Sequence, residues 1–115
     1  MVDAFELTKF AAAIAKSKKA ENIIILDIRK ISTLCDFTMI CSVLNTKHAQ
    51  AVFDEITKKI QSQLQIKPIC TEGESSVEWV IIDYGHAIIN IFQTDKRQIY
   101  NLEQLWNKAI KINFD

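Results

Sequence analysis

The hydrophobic pattern of the chain centres on two short apolar runs that are separated by Tyr84-Gly85. The first run extends from Trp79 to Asp83 and the second from Ala87 to Phe92, and both are rich in isoleucine. Short runs of β-branched and aromatic residues around a glycine-containing turn are typical of a β-hairpin. The acidic segment Glu72-Gly73-Glu74 precedes the first run, and both glycines of the protein lie in this region. We therefore expect the rest of the fold to be organised around this hairpin.

Alternation along the two strands assigns the hairpin residues to opposite faces of the sheet. Placing Asp83 opposite His86 across the turn also places Trp79 opposite Asn90. One of the two faces is purely apolar, and we expect it to lie beneath the helices because no polar group there needs a partner. The residues of this apolar face are Val80, Ile82, Ile89 and Ile91.

The opposite face, which we call the mixed face, is composed in the hairpin of Trp79, Ile81, Asp83, Ile88, Asn90 and Phe92. We expect this face to be at least partly open, with Trp79 serving either as core or as an anchor for a partner. The carboxylates of Glu72 and Glu74 are read as a charged rim that meets a basic partner, in preference to a general acid and base. The predicted partner-binding residues are Glu72, Glu74, Trp79, Ile81, Asp83, His86, Ile88, Asn90 and Phe92.

Three helices are predicted from capping signals that precede apolar residues at helical spacing. The first begins at Asp3, where Glu6 completes a capping box. The second begins at Asn45-Thr46 and is ended by Pro68, the only proline, and the third begins at Asp95. Their inner sides are predicted to be Leu7, Phe10, Ala11 and Ile14, then Ala49, Val52, Phe53, Ile56, Ile60 and Leu64, then Ile99, Leu102, Leu105, Trp106 and Ala109.

Three further strands complete the predicted sheet. The run from Ile23 to Ile28 is almost unbroken and rich in isoleucine, which indicates an interior strand buried on both faces. Strands are also predicted from Asp36 to Val43 and from Ile69 to Thr71, with a loop between Arg29 and Cys35. The order α-β-β-α-β-β-β-α predicts one α+β or α/β domain over residues 1–115, with a mixed five-stranded sheet and three helices.

Composition narrows the classes of function without choosing one. The formal net charge is zero, which excludes a general electrostatic attraction to nucleic acid or anionic lipid and leaves only the local run Lys16, Lys18 and Lys19. A solvated helix end is favoured over an RNA contact for that run. The three cysteines form no C-x-x-C pair, so we expect a reducing compartment, no disulfide and no zinc. Without a signal-peptide or membrane-spanning pattern, we expect a soluble cytoplasmic protein.

Catalytic signatures are absent from the sequence. It contains no nucleophile elbow, phosphate-binding loop or zinc-protease motif, and we expect no catalytic residue and no cofactor. Asp27, Asp36 and Asp83 stand at strand ends and are candidate metal ligands, but we favour turn and cap acceptors. His48 is read as a helix-surface residue or a polar contact to a partner. His48 and His86 have no obvious serine or cysteine to activate.

Several motifs together resemble the Iojap/RsfS family, the ribosomal silencing factors. The motifs are LDIRKIS, CDFTMICSV, NTKH, EGE, EWVIIDYG, RQIY and LEQLW, and they extend from about Ala20 to Ala109 in the family's order. The resemblance implies a characteristic role for Asp27, Asp36, His48, Glu72, Gly73, Trp79, Asp83, Gly85, Arg97, Tyr100, Leu102, Glu103, Leu105 and Trp106. The chain departs from the family pattern at Lys47, His86 and Asn90, where arginine, an acidic residue and histidine are usual.

The resemblance implies a nucleotidyltransferase-like fold without its catalytic motif. It also implies binding to a protein of the large ribosomal subunit, L-fourteen, at the inter-subunit face, where the bound factor blocks joining of the small subunit and represses translation when nutrients are short. No sequence-specific contact to nucleic acid and no membrane contact are expected, and a homodimer that uses the same face stays open. Two alternatives also stay open: a factor for large-subunit assembly, and a small nucleotide-dependent enzyme using Asp27, Asp36 and Asp83.

Overall fold

A mixed six-stranded sheet with two helices packed on one face forms the structure, a computed structural model that describes residues 3–33, 35–73, 79–95, 97 and 110–112. The sheet order is β3-β4-β5-β2-β1-β6, in which β2 and β5 are parallel and every other neighbouring pair is antiparallel. The elements are α1 (Ala4–Ser17), β1 (Glu21–Asp27), β2 (Phe37–Val43), α2 (Thr46–Lys59, continued by a π-helical turn, Ile60–Leu64), β3 (Cys70–Glu72), β4 (Trp79–Asp83), β5 (Ala87–Gln93) and β6 (Ile110–Ile112).

The first two predicted helices start where their capping signals place them. Asp3 Oδ1 accepts the backbone N–H of Glu6 at 2.8 Å, and Asn45 Oδ1 accepts that of His48 at 2.8 Å. The second helix, counted with its π-helical turn, reaches Leu64, the last inner position predicted for it, and Gln65 ends it before Pro68 with a left-handed conformation of φ 59°. Neither described helix is long and apolar enough to cross a membrane.

The prediction of five strands and three helices is wrong in its strand count. A sixth strand, β6, pairs antiparallel with β1 and places Ile112 opposite Ile25. β1 is therefore interior, as predicted, and Ile25 is fully buried. The predicted third helix falls mostly on residues 98–109, which lie outside the described residues, although Thr94 and Asp95 have helical backbone.

The hairpin of β4 and β5 forms as predicted, but its pairing is shifted by two residues. Trp79 lies opposite Phe92, and Asp83 lies opposite Ile88. The shift arises because Gly85, with φ 93°, is the first residue of the tight loop, which a bond from the Tyr84 N–H to the Ala87 carbonyl closes at 2.9 Å. Because the shift is an even number of residues, every side chain keeps its predicted face.

The core consists of two clusters on opposite faces of the sheet. The larger cluster joins α1 and α2 to the purely apolar hairpin face, as predicted, and includes Val80, Ile82, Ile89 and Ile91. The smaller cluster lies on the mixed face, where Trp79 and Ile88 pack against buried residues of the central strands. The buried members of the smaller cluster are Leu26, Ile28, Cys35, Ile40 and Phe92.

Candidate functional site

Burial on the mixed face decreases from the centre of the sheet towards its β3 edge. Asn90 and Phe92 on β5 are only 3% and 0% exposed, so the expectation of an open face is wrong for these two residues. On β4, by contrast, Trp79, Ile81 and Asp83 are half-buried. The mixed face is therefore open only in its outer part.

The edge strand β3 extends the open part of this face. Register places Cys70 opposite Asp83 and Glu72 opposite Ile81, and residues directly opposite each other in antiparallel strands share a face. Both β3 side chains are exposed. We use the name open surface for Cys70, Glu72, Trp79, Ile81, Asp83 and Ile88.

Trp79 is held in a fixed orientation within the open surface. Its ring stacks on Phe92 with centroids 5.0 Å apart and an interplanar angle of 22°, and its Nε1–H donates to Asn90 Oδ1 at 3.0 Å. Asn90 Nδ2 in turn donates to Thr38 Oγ1 at 2.8 Å and to the Met39 carbonyl at 3.3 Å. One edge of Trp79 is thus part of the core, while the half-buried ring keeps accessible area for a partner.

The polar groups of the open surface are acidic. Glu72 is exposed, and Asp83 is half-buried, with its Oδ1 accepting the Gly85 N–H at 2.7 Å. This bond makes Asp83 a turn acceptor, the interpretation favoured from the sequence. Partial desolvation, with the neighbouring carboxylates of Asp83 and Glu72, raises the pKa of the Cys70 thiol, so it is a protonated group and not a thiolate nucleophile at neutral pH.

Gly73 positions the acidic end of β3 against the start of β4. It has φ 84°, and a Cβ added at this position would lie 2.0 Å from the carbonyl oxygen of Trp79. Only glycine allows this backbone approach without displacing the Trp79 peptide. Close backbone packing therefore explains the glycine between Glu72 and Glu74. The same packing fixes the position of Glu72 relative to Trp79.

We predict that Gly73→Ala lowers the stability of the hairpin edge more than Gly85→Ala. Left-handed backbone costs an alanine about 1–2 kcal/mol at either position. At Gly85 the added Cβ would meet only the end of the Ile69 side chain, at 3.0 Å, whereas at Gly73 it meets backbone. Thermal melts of the two variants measure the difference, and equal melting temperatures would contradict the close approach at Gly73.

The three strand-end aspartates do not all meet in one site, since Asp27 and Asp36 line one cavity and Asp83 lies outside it. Asp27 pairs with Arg29 through Oδ2 and Nη2 at 2.7 Å, and hydrogen bonding from Arg29 lowers the pKa of Asp27. Asp36 Oδ2 lies 3.7 Å from Nδ1 of His86. Within the described ranges, no three His, Cys, Asp or Glu side chains lie close enough to hold a metal ion. The enzyme alternative therefore has no assembled metal site in that part of the chain.

The structure places the nine predicted partner-binding residues unequally. The six hairpin residues share one face, and Glu72 joins them from β3. His86 lies instead in the turn, beside Asp36, with a side chain that is 83% exposed. Glu74 lies outside the described residues. Cys70 was missed, although its spacing of two residues from Glu72 would have revealed it once β3 was paired with β4.

Arg97, one of the positions that the family resemblance singles out, has a structural role here. It is buried, and its Nη1 donates to the Asn22 carbonyl at 2.6 Å and to Ser42 Oγ at 2.7 Å. Asn22 has φ 50° and lies where the pairing of β1 with β2 is irregular. Arg97 therefore stabilises an irregular strand end, a contact that no sequence motif indicated.

Known proteins include relatives that are similar to this chain in sequence and a solved structure that is similar in fold. The chain is 36% identical over 111 residues to the ribosomal silencing factor RsfS of Halalkalibacterium halodurans, with 96% of this chain and 93% of the relative covered. It is 36% identical over 110 residues to RsfS of Bacillus subtilis, with 95% and 92% covered. A crystal structure of a Chromobacterium violaceum protein shares the fold, with a TM-score of 0.88 at 24% identity and coverage of 92% and 88%.

An organellar relative and a family profile complete the comparison. The mouse protein named mitochondrial assembly of ribosomal large subunit protein 1 is 24% identical, over 82% of this chain and 42% of its own length. The profile of the RsfS family, described as ribosomal silencing factor during starvation, matches residues 2–115. Because this match spans nearly the whole chain and two full-length relatives agree with it, the protein belongs to the RsfS family of ribosomal silencing factors.

Proposed function

We propose that the protein binds the large ribosomal subunit through the open surface, in the cytoplasm, and silences translation by preventing the small subunit from joining. Membership of the RsfS family supports the ribosomal role. The observation that carries the proposed contact is Trp79, a large aromatic held by Phe92 and Asn90 yet only half-buried, at the border between the covered and the open part of the mixed face. Rigid aromatic rings of this kind are frequent anchors of protein interfaces.

The chemistry of the open surface favours a ribosomal protein over RNA as its partner. Glu72 and Asp83 are carboxylates, which repel phosphate groups and attract lysine and arginine side chains. Trp79, Ile81 and Ile88 supply accessible apolar area beside those charges. A basic protein with an apolar patch is the complementary partner, and L-fourteen at the inter-subunit face is the partner that the sequence resemblance implies.

Steric exclusion is sufficient for the proposed mechanism. The domain measures 34 × 33 × 27 Å, so a copy bound on the inter-subunit face holds the two subunits apart by far more than the length of any side chain. No catalytic step is needed, and binding alone sets the extent of repression. Repression is therefore expected to saturate at one bound copy for each large subunit.

We predict that the protein sediments with free large subunits and not with preformed whole ribosomes, in which its site would be covered. Adding it to large subunits before small subunits should reduce the yield of joined ribosomes in proportion to occupancy. Sucrose-gradient centrifugation measures both results. Adding the protein after joining is the order-of-addition control, and normal joining at saturating protein would contradict the silencing role.

A second candidate function is assistance in assembly of the large subunit. The observation that favours it is the relative from mouse, whose name describes assembly of the mitochondrial large subunit. An assembly factor binds incomplete large particles in preference to mature subunits, whereas a silencing factor binds mature subunits. Competition between immature and mature large particles for a limiting amount of protein separates the two functions.

A further inference from the structure

Four exposed lysines from two separate helices lie around one hydrogen-bonded contact at the end of the helical layer. Lys16 lies in the last turn of α1, Lys18 and Lys19 follow directly after the helix ends at Ser17, and Lys47 lies in the first turn of α2. We use the name basic patch for these four residues. The formal net charge of the chain is zero, so the patch is a local concentration of positive charge.

His48 fixes the two halves of the basic patch against each other. Its Nδ1 accepts the backbone N–H of Leu44 at 3.0 Å, so the ring hydrogen is on Nε2, which donates to the Lys18 carbonyl at 2.7 Å. Lys47 is the residue next to His48 in the chain. The imidazole therefore holds the Lys18 backbone against the residue that follows Lys47 in the chain. This tertiary contact brings the two halves of the basic patch together.

Capping of α1 does not explain these lysines. Backbone groups already satisfy the carbonyls of the last turn, because the N–H of Lys19 donates to Lys16 at 3.0 Å and that of Ala20 to Ala15 at 3.0 Å. The Lys18 N–H donates to Ala15 at 3.1 Å. The lysine ammonium groups are therefore not needed as hydrogen-bonding caps, while their exposure agrees with the interpretation favoured from the sequence, a solvated helix end favourable to the helix dipole.

The ammonium groups of Lys18, Lys19 and Lys47 form no ion pair with any residue in the described part of the chain. Glu21 is the acidic residue nearest in sequence to Lys19. In the strand register it lies opposite Ser42, which is on the mixed face of the sheet and so on the side away from the helices. The positive charges of Lys18, Lys19 and Lys47 are therefore not neutralised by an ion pair within the described residues.

Lys19 has a left-handed backbone, with φ 70°. This is the left-handed position that follows a helix, where glycine is the favoured residue. The chain therefore carries a lysine at a position whose backbone conformation favours a residue without a side chain. Gln65 adopts the same left-handed backbone after α2, so this conformation does not by itself call for a charge, and Lys19 contributes to the patch through its exposed ammonium group.

We propose that the basic patch contacts the phosphate backbone of RNA in the large subunit while the open surface contacts protein. This inference rests on the proposed function, which supplies a particle in which RNA and protein lie side by side. Lysines are mobile point charges that suit phosphate contacts and carry no base recognition, so the contact is independent of sequence. In this proposal the acidic open surface binds protein, and the basic patch binds the RNA phosphates of the same particle.

The test compares two triple variants with the same change in net charge. Lys18→Gln, Lys19→Gln and Lys47→Gln remove most of the patch, and the matched control replaces the exposed Lys30, Lys58 and Lys67 with glutamine. The probe is purified large subunits, with affinity measured over a range of salt concentrations. For the patch variant we expect a loss of about tenfold or more at low salt and a slope of log affinity against log salt that is shallower by about 2.

A second probe separates this inference from the proposed function. Protein-free RNA of the large subunit should bind the wild-type protein weakly and with strong salt dependence, and the patch variant should lose this binding. Trp79→Ala should keep RNA binding while losing affinity for whole subunits. Equal effects of the two triple variants, or unchanged RNA binding by the patch variant, overturn the inference and leave the proposed function standing.

The single variant Lys19→Gly gives a readout that a structural role for the lysine would not produce. Glycine relieves the left-handed backbone, so the melting temperature should rise or stay equal while affinity for protein-free RNA falls about two- to threefold, the share of one phosphate contact. Unchanged RNA affinity with a higher melting temperature would overturn the role of Lys19.

Discussion

Ile25→Asp is expected to abolish folding of the protein. Ile25 is fully buried, pairs with Met39 on one side and Ile112 on the other, and belongs to the cluster beneath the helices. An unpaired carboxylate there costs several kcal/mol, against a total stability of ~5–15 kcal/mol for a domain of this size. Circular dichroism and a thermal melt should show no cooperative transition in the variant.

The matched control is Ile31→Asp, which makes the same chemical change in the loop between β1 and β2. Ile31 is 42% exposed, so its aspartate remains in contact with water and the variant should melt cooperatively. Ile25→Val keeps the shape of the core and should lower stability by about 0.5–1.5 kcal/mol. A soluble, cooperatively folded Ile25→Asp variant would refute the interior position of β1.

The sidedness of the hairpin was predictable from sequence because it depends only on whether positions are odd or even. The register was not, because glycine is compatible with either loop position and Gly85 takes the first. β6 was missed for a related reason. Ile110-Lys111-Ile112 is a three-residue alternation that follows a helical pattern, and so short a segment carries no separate signal of its own.

The candidate site was predictable in composition but not in exposure. Alternation placed Trp79 and Asn90 on the same face, yet it gave no indication that Asn90 would be buried by tertiary packing. Its burial is compatible with a polar side chain because its amide joins Trp79 to Thr38 and Met39. Asn90, where the sequence resemblance implies a histidine, therefore leaves no unsatisfied side-chain group.

Trp79→Ala is expected to lower the affinity for large subunits more than tenfold, which is the second large effect. Truncating an aromatic anchor often costs at least about 2 kcal/mol of binding, and tenfold corresponds to about 1.4 kcal/mol. Glu72→Gln should add a smaller loss that disappears at high salt, because its exposed carboxylate acts through a screened charge. Sedimentation binding at several salt concentrations measures both losses.

The experiment has to separate a loss of binding from a loss of folding stability, because Trp79 also packs against Phe92 and donates to Asn90. Val80→Ala is the matched control, since Val80 is the next residue on β4 but lies buried on the opposite face. Both variants should melt below wild type, yet only Trp79→Ala should lose affinity at a temperature where both are folded. Trp79→Phe should retain part of the stack and part of the binding. Equal affinities of Trp79→Ala and Val80→Ala would show that Trp79 is core alone and that the partner binds elsewhere.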